Sequence, residues 1–139
     1  MLNRINQEMA FVQAALDLRA RRQEILAANL ANSDTPNYKA RDLDFASALR
    51  TAQGAMGREA GPLALARTQA GHLAPATLSG GLATALKYRA ALQPSLDGNT
   101  VDMDVERAHF ADNAMHYQFL LERMGSLFGT MKLAVGSER

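Results

Sequence analysis

Near its C-terminal end the chain reads FADNAMHYQFLLERMGSLFGTMKLAV, residues 110–135. Apolar side chains recur in this stretch at alternating spacings of four and three residues, which places them on one face of an α-helix. The pattern extends back to Met103, and about 33 residues at ~1.5 Å each predict a helix roughly 50 Å long. A helix with so long an apolar stripe needs a partner helix to cover it. The stripe includes Phe110, Tyr117, Leu121, Met124, Phe128 and Met131.

Residues 97–100 read Asp-Gly-Asn-Thr and predict a turn before this helix. Asp102, Asp104 and Glu106 then fall where the dipole at a helix N-terminus favours negative charge. We therefore predict that residues 99–139 form a C-terminal segment consisting mainly of helix.

A second long helix is predicted over residues 1–33, where no proline or glycine interrupts the chain. It ends where short polar side chains precede Pro36, because these side chains compete for backbone hydrogen bonds and a proline disfavours helix in the residue before it. Pro36 and Asn37 suit the centre of a tight turn in which Asn37 takes a positive φ. The apolar face of this helix carries Leu2, Ile5, Met9, Val12 and Leu16, and Ala20 and Ala27 continue it.

The middle of the chain has a different composition. Residues 51–96 contain six of the ten glycines and three of the four prolines. We predict a turn and an extended segment over residues 34–50, then a loop-rich insert over residues 51–98 with a short helix near residues 84–92. The predicted fold class is mainly α, with long amphipathic N- and C-terminal helices on either side of a loop-rich central insert.

The composition argues against several kinds of partner. The 15 basic and 14 acidic side chains nearly cancel, so no net charge attracts nucleic acid or an anionic membrane. The longest uncharged run, residues 68–86, contains a proline and three glycines and does not predict a membrane-spanning helix. We also expect no cleaved N-terminal signal, because charged helix-forming residues flank the short apolar run at residues 9–16.

The chain also lacks the usual patterns of catalytic and metal sites. It has no cysteine, no serine in the G-x-S-x-G pattern of a nucleophile elbow and no phosphate-binding loop. His109 and His116 are seven residues apart, whereas two zinc ligands on one helix need a spacing of four. Asp102, Asp104 and Glu106 lack the loop spacing of a calcium site. We therefore expect no catalytic, cofactor-binding or metal-binding residues, and no enzyme.

Two interpretations of the terminal stripes remain open. The chain is either a helical hairpin that buries its own core, or a subunit whose end helices pair with each other and with those of its neighbours. Periodicity alone does not separate the two.

Two segments of the sequence resemble the axial proteins of the bacterial flagellum, in particular the short rod proteins of the basal body. Residues 21–45 read RRQEILAANLANSDTPNYKARDLDF, and residues 98–120 read GNTVDMDVERAHFADNAMHYQFL. The family motif that ends the first helix is matched at Asn29, Asn32, Thr35, Pro36 and Tyr38. Asn37 departs from it, because glycine is more usual there, but asparagine tolerates the same left-handed conformation.

The resemblance implies a structural subunit of the proximal rod, exported by the flagellar type III apparatus and polymerised through terminal helices that form a coiled-coil layer. Its place would be the periplasmic rod of the basal body. Implied partners are other proximal rod proteins, the ring-to-rod adaptor protein, the export gate and further copies of itself, with no nucleic acid and no direct membrane insertion. The expected subunit interface comprises Leu2, Ile5, Met9, Val12, Leu16, Phe110, Tyr117, Leu121, Met124, Phe128 and Met131.

Other functions remain as alternatives. Within the family, an alternative is the rod subunit lettered C. The strings Asp-Leu-Asp-Phe at residues 42–45 and Val-Asp-Met-Asp at residues 101–104 favour the rod subunit lettered B instead. Outside the family, the alternatives are a cytoplasmic helical export adaptor or chaperone and, with less support, a small hydrolase or metal enzyme.

Overall fold

The computed structural model describes residues 2–56, 86–91 and 95–136, with side chains from Arg4 onward and up to Gly54 in the first of these ranges. Helices predominate, as predicted, and the two longest lie at the two ends of the chain. The elements in order are α1 (Leu2–Ala31), β1 (Arg41–Leu43), α2 (Phe45–Met56), β2 (Leu86–Tyr88) and α3 (Met103–Gly136).

α1 and α3 pack against each other as an antiparallel hairpin. Contacts from Glu8 to Arg123 and from Asn29 to Glu106 run in opposite directions along the two helices. Their 30 and 34 residues correspond to lengths of about 45 and 51 Å at ~1.5 Å per residue. The two stripes predicted from the sequence therefore do have a partner within the chain, and the question is how much apolar surface the pairing leaves uncovered.

The end of α1 follows the sequence prediction closely. The helix stops at Ala31, two residues before the predicted boundary, and Asn32 donates from its side chain back to the carbonyl of Ala28 at 2.8 Å. In the turn that follows, the amide of Tyr38 donates to the carbonyl of Thr35 at 3.3 Å, and Asn37 has a φ of 61°. The predicted left-handed asparagine at the third position of a tight turn is confirmed.

The start of α3 is capped as expected. The Asp102 carboxylate accepts from the amides of Asp104 and Val105 at 3.1 and 3.2 Å, which satisfies two of the free donors of the first turn. Gly98 has a φ of +73° in the turn before it, and the Asp97 carbonyl accepts from the amide of Asn37 at 2.9 Å. The turn that ends α1 and the turn that precedes α3 are therefore joined directly.

The structure differs from the sequence prediction between these two turns. The sequence predicts a turn followed by an extended segment over residues 34–50, but after the turn the strand covers only Arg41–Leu43 and α2 begins at Phe45. Asp44 caps α2 by accepting from the amide of Ser47 at 3.1 Å. Ala48 and Leu49 then bring the apolar face of α2 onto Leu18 of α1 and Leu43 of β1. A helix forms because its apolar face finds this surface on α1.

The short helix predicted near residues 84–92 is also wrong. Leu86–Tyr88 is instead β2, which pairs antiparallel with β1 in the register Arg41–Tyr88 and Leu43–Leu86. The triplet Leu-Lys-Tyr is too short to favour helix or strand by itself, and it forms a strand because β1 offers a free edge for pairing. From the sequence, the short apolar runs at residues 63–65 and 82–86 could each form a brief strand or one helical turn. The first run lies outside the described residues, and of the second only Leu86 is described, in β2.

Candidate subunit interface

The apolar and polar residues of α3 fall into three columns, each with a repeat of seven residues. Side chains of the inner column, which faces α1, are buried or half-buried, and those of the shared column are half-buried. Side chains of the outer column are exposed. The inner column is Glu106, Asn113, Leu120 and Leu127; the shared column is Phe110, Tyr117, Met124 and Met131; the outer column is Ala114, Leu121, Phe128 and Val135.

The predicted interface residues are thus divided between the inside and the outside of the hairpin. Leu121 and Phe128 remain 47% and 54% exposed, whereas Val12 of α1 is buried against the hairpin core. The other predicted residues of α1 that the structure describes are half-buried: Ile5, Met9 and Leu16. The side chain of Leu2 lies outside the described residues. Among the predicted interface residues, those most open to another helix therefore lie on the outer column.

A second exposed apolar face of α3 was missed in the sequence. Met115, Phe119 and Leu133 are each more than half exposed and lie on the side of α3 away from the outer column. Phe119 and Leu133 are separated by two heptads, but Ser126 occupies the position between them and interrupts the apolar repeat in the sequence.

An open groove of about 710 Å³ runs between α1 and α3 in the half of the hairpin nearer the turns. Small side chains create it, since Ala20 and Ala27 of α1 face Ala114 of α3 across the groove. Ala20 and Ala27 were expected to continue the packing stripe of α1, but they are exposed, and the buried side of the helix follows Ala15, Leu26 and Asn29 instead. The other lining residues are Gln23, Glu24, Phe110, Tyr117, Gln118 and Leu121.

Asn29, the first residue of the family-like motif, is fully buried and joins four segments of the chain. Its side-chain nitrogen donates to the carbonyl of Arg41 at 2.7 Å and to the Glu106 carboxylate at 3.2 Å. Its side-chain oxygen accepts from the hydroxyl of Tyr38 at 3.3 Å and from the amide of Arg41 at 3.2 Å. No apolar residue could replace it without leaving several of these groups unpaired.

Next to Asn29, four charged side chains form a balanced network. Arg22 binds Asp42 through two parallel bonds of 2.9 Å, and Arg89 donates at 2.5 Å to both Asp42 and Glu106. Burial disfavours the charged form of Asp42, but the hydrogen bonds from Arg22 and Arg89 outweigh it and hold the pKa of Asp42 below its usual value. The hydrogen bond to Asp42 likewise raises the pKa of Arg22.

Glu106 therefore does more than match the helix dipole, which was the interpretation from sequence. It is 1% exposed and neutralises Arg89, which follows β2 and lies 17 residues away. Because Arg89 joins Asp42 in β1 to Glu106 in α3, it ties the strand pair to the hairpin. Nothing in the local sequence around Arg89 marks this role.

A second buried amide closes the junction. The side-chain nitrogen of Asn99 lies 3.1, 2.6 and 3.1 Å from the carbonyl oxygens of Asn32, Ser33 and Thr35, and its oxygen accepts from the amide of Val101 at 2.8 Å. It thereby satisfies carbonyls that the end of α1 leaves free. We call the assembly of the α1 end, the strand pair and the α3 start the polar junction. Of the motif residues, Thr35 and Pro36 are on its exposed rim.

Within the described ranges, no helix is both long and apolar enough to cross a membrane, and no group of three or more acidic or histidine side chains is arranged to hold a metal ion. The described site is therefore a pair of apolar faces carried by a hairpin with a rigid polar junction. Apolar faces of this kind are suited to packing against other helices.

The chain is similar in sequence to known proteins over nearly its whole length. A family model described as flagella basal body rod protein matches residues 9–39, which run from the first half of α1 through the motif. The flagellar basal body rod protein FlgB of Salmonella typhimurium is 52% identical over 137 residues, covering 98% of this chain and 99% of the relative. FlgB of Escherichia coli is 49% identical over 135 residues, with 96% of each chain covered, and FlgB of Yersinia enterocolitica is 47% identical over 126 residues, with 90% of each covered.

Proposed function

Since the chain belongs to the family of flagellar basal body rod proteins that includes FlgB, we propose that it is a structural subunit of the proximal rod, assembled with other rod components in the basal body. The similarity extends over both terminal helices and the junction between them, so it concerns the parts of the chain that bear the candidate interface. Because the relatives are named FlgB, the similarity favours this type of rod subunit over the C type. It also favours a rod subunit over a cytoplasmic export adaptor or chaperone.

The observation that carries the proposal is the outer column of α3. Fully burying a leucine or phenylalanine side chain is worth about 1.5–3 kcal/mol, and Leu121 and Phe128 are about half exposed. A neighbouring helix that covers them would gain roughly 1 kcal/mol at each position. Repetition of such small gains along a helix and around a polymer stabilises an assembly without requiring any single strong contact.

The finer parts of the proposal concern the route and the neighbours. Export through the flagellar type III apparatus, and contacts with other proximal rod proteins, the ring-to-rod adaptor protein, the export gate and further copies of the chain, rest on the family resemblance. The predicted interface residues of α1 and of the shared column belong to the same proposal. They are half-buried in the hairpin, so each retains some surface for a neighbour.

The test is a charge placed on the outer column. We expect Leu121→Glu to leave secretion unchanged and to prevent rod assembly, because a carboxylate in a packed helical seam loses its hydration without gaining a partner. Electron microscopy of purified basal bodies shows whether the rod has formed, and immunoblots of the exported fraction measure how much of the chain is secreted. Gln53→Glu on the exposed side of α2 adds the same charge away from the seam and should assemble normally.

Normal rods in the Leu121→Glu strain would contradict the assignment of the outer column. A chain that never leaves the cytoplasm, and that functions there, would instead support the adaptor alternative. Localisation of the unmodified chain therefore separates the two functions before any variant is made.

A further inference from the structure

α3 carries two overlapping seams, and the hairpin uses the less apolar one. The seam that packs on α1 combines the inner and shared columns and includes Glu106 and Asn113. The other seam combines the shared and outer columns, and every one of its eight side chains is apolar or aromatic. The two columns that distinguish the seams are offset by one residue, or about 100° around the helix axis. Hydrophobic burial alone would favour rotating α3 so that the outer column faces α1.

Asn113 opposes that rotation. It is fully buried at the middle of the helix pair, and its side-chain nitrogen donates to the carbonyl of Arg19 at 2.9 Å and to the side-chain oxygen of Gln23 at 2.6 Å. Its side-chain oxygen accepts from the guanidinium of Arg19 at 3.3 Å. Both amide donors and the acceptor are thus satisfied by α1 in this one setting, and a rotation of about 100° would break all three bonds.

The position of Asn113 along the helix matters as much as its contacts. Glu106 anchors α3 at the polar junction, seven residues earlier, and farther along the inner column the next residues are Leu120 and Leu127. Asn113 is therefore the last described inner-column residue whose hydrogen bonds distinguish one rotation from another. Beyond it, the packing of leucines accepts either setting at similar cost.

We propose that Asn113 is a positioning residue that fixes the rotation of α3 against α1 and so keeps the outer column free for another helix. A polar side chain in an otherwise apolar helical seam is a known way of selecting one pairing geometry over its competitors. The inference depends on the proposed function only for the identity of the helix that finally covers the outer column. The rotation itself is a property of the single chain.

The absence of cysteine from the sequence makes the test direct. A single cysteine is placed at Leu121 or at Leu127, which are 47% and 8% exposed, and its rate of reaction with a maleimide is measured in dilute, folded protein. In the parent chain the cysteine at position 121 should react faster than that at position 127. In the Asn113→Leu background we expect the ratio of the two rates to fall by about tenfold, because the lost hydrogen bonds no longer favour the present rotation of α3 over the alternative.

Gln13→Leu is the matched control, because it also converts an amide to leucine but at an exposed site on α1, and its ratio should equal that of the parent. Asn113→Ala, which removes the amide without adding apolar surface, should lower the ratio in the same direction. Circular dichroism establishes that each variant is folded before labelling.

An unchanged ratio in folded Asn113→Leu and Asn113→Ala would overturn the proposal. So would a slower reaction at position 121 that disappears on dilution, because self-association rather than rotation would then cover the outer column. Light scattering on the same samples identifies that case. Neither result bears on whether the chain is a rod subunit, which the basal-body assay with Leu121→Glu decides separately.

Discussion

Glu106 provides the most direct test of the polar junction, through its replacement by glutamine. Glu106→Gln keeps the shape of the side chain and one acceptor oxygen, but removes the negative charge that faces Arg89 at 2.5 Å. The network then contains Arg22, Arg89 and Asp42, and carries an excess positive charge. We expect a loss of stability because the guanidinium of Arg89 stays in place without its full counter-charge.

The structure sets the expected size of that loss. Breaking a buried ion pair by removing one partner costs about 3–5 kcal/mol. Arg89 retains Asp42 at 2.5 Å and its side chain is 22% exposed, so water and the remaining carboxylate offset part of the cost. We therefore expect the free energy of unfolding to fall by about 2 kcal/mol, somewhat less than the range for fully buried pairs.

Urea unfolding followed by circular dichroism measures this loss, with Asp44→Asn as the matched control. Asp44→Asn also removes a carboxylate that pairs with a cation, but the partner Lys87 is 66% exposed, and exposed pairs contribute little to stability because water screens them. Asparagine can still cap α2 in place of Asp44. If the two variants lose stability equally, within about 0.5 kcal/mol, the buried network does not have the importance that its geometry indicates.

Two further predictions concern pH and backbone conformation. Burial disfavours the charged form of Asp42, but hydrogen bonds from Arg22 and Arg89 outweigh it and lower the pKa of Asp42 from 3.8. The ionised carboxylate therefore stabilises the fold above pH 3.8, and this stabilisation is lost as the pH falls through the lowered pKa. The difference in free energy of unfolding between the parent chain and Asp42→Asn should narrow in acid, and a difference independent of pH would refute this. Gly98→Ala should cost about 1–2 kcal/mol in urea unfolding, since φ is +73° there, whereas Gly125→Ala, in open space on α3, should be neutral or stabilising; equal effects would contradict the reasoning.

Much of the fold was predictable because it depends on local patterns. The two long helices follow from repeats of three and four residues, and their ends follow from Pro36, Asn37, Gly98 and Asp102, whose conformational preferences act within a few residues. The helix α2 also had a local signal, since Asp44 precedes apolar residues at positions 45, 48, 49 and 52. That signal indicates a helix, whereas the turn before it favours an extended continuation of the chain.

Other features had no local signal. The strand β2 and the ion pairs of Arg89 depend on partners in β1 and α3, and the carbonyls around Asn99 lie at least 64 residues away from it in the sequence. Residues of the motif were recognised by resemblance, but their physical role as a junction emerges only when the segments are brought together. The division of the chain at residues 33, 50 and 98 remains a prediction.

Periodicity along the chain is enough to predict an amphipathic helix at each end, because it depends only on neighbours within one helix. It also predicts that the apolar stripe of α3 needs a partner helix. Which of its faces meets α1 was decided by the tertiary structure, through hydrogen bonds between Asn113 and Arg19, 94 residues apart. Hydrophobic burial is non-directional and accepts several rotations of a helix, whereas a buried amide is satisfied in one.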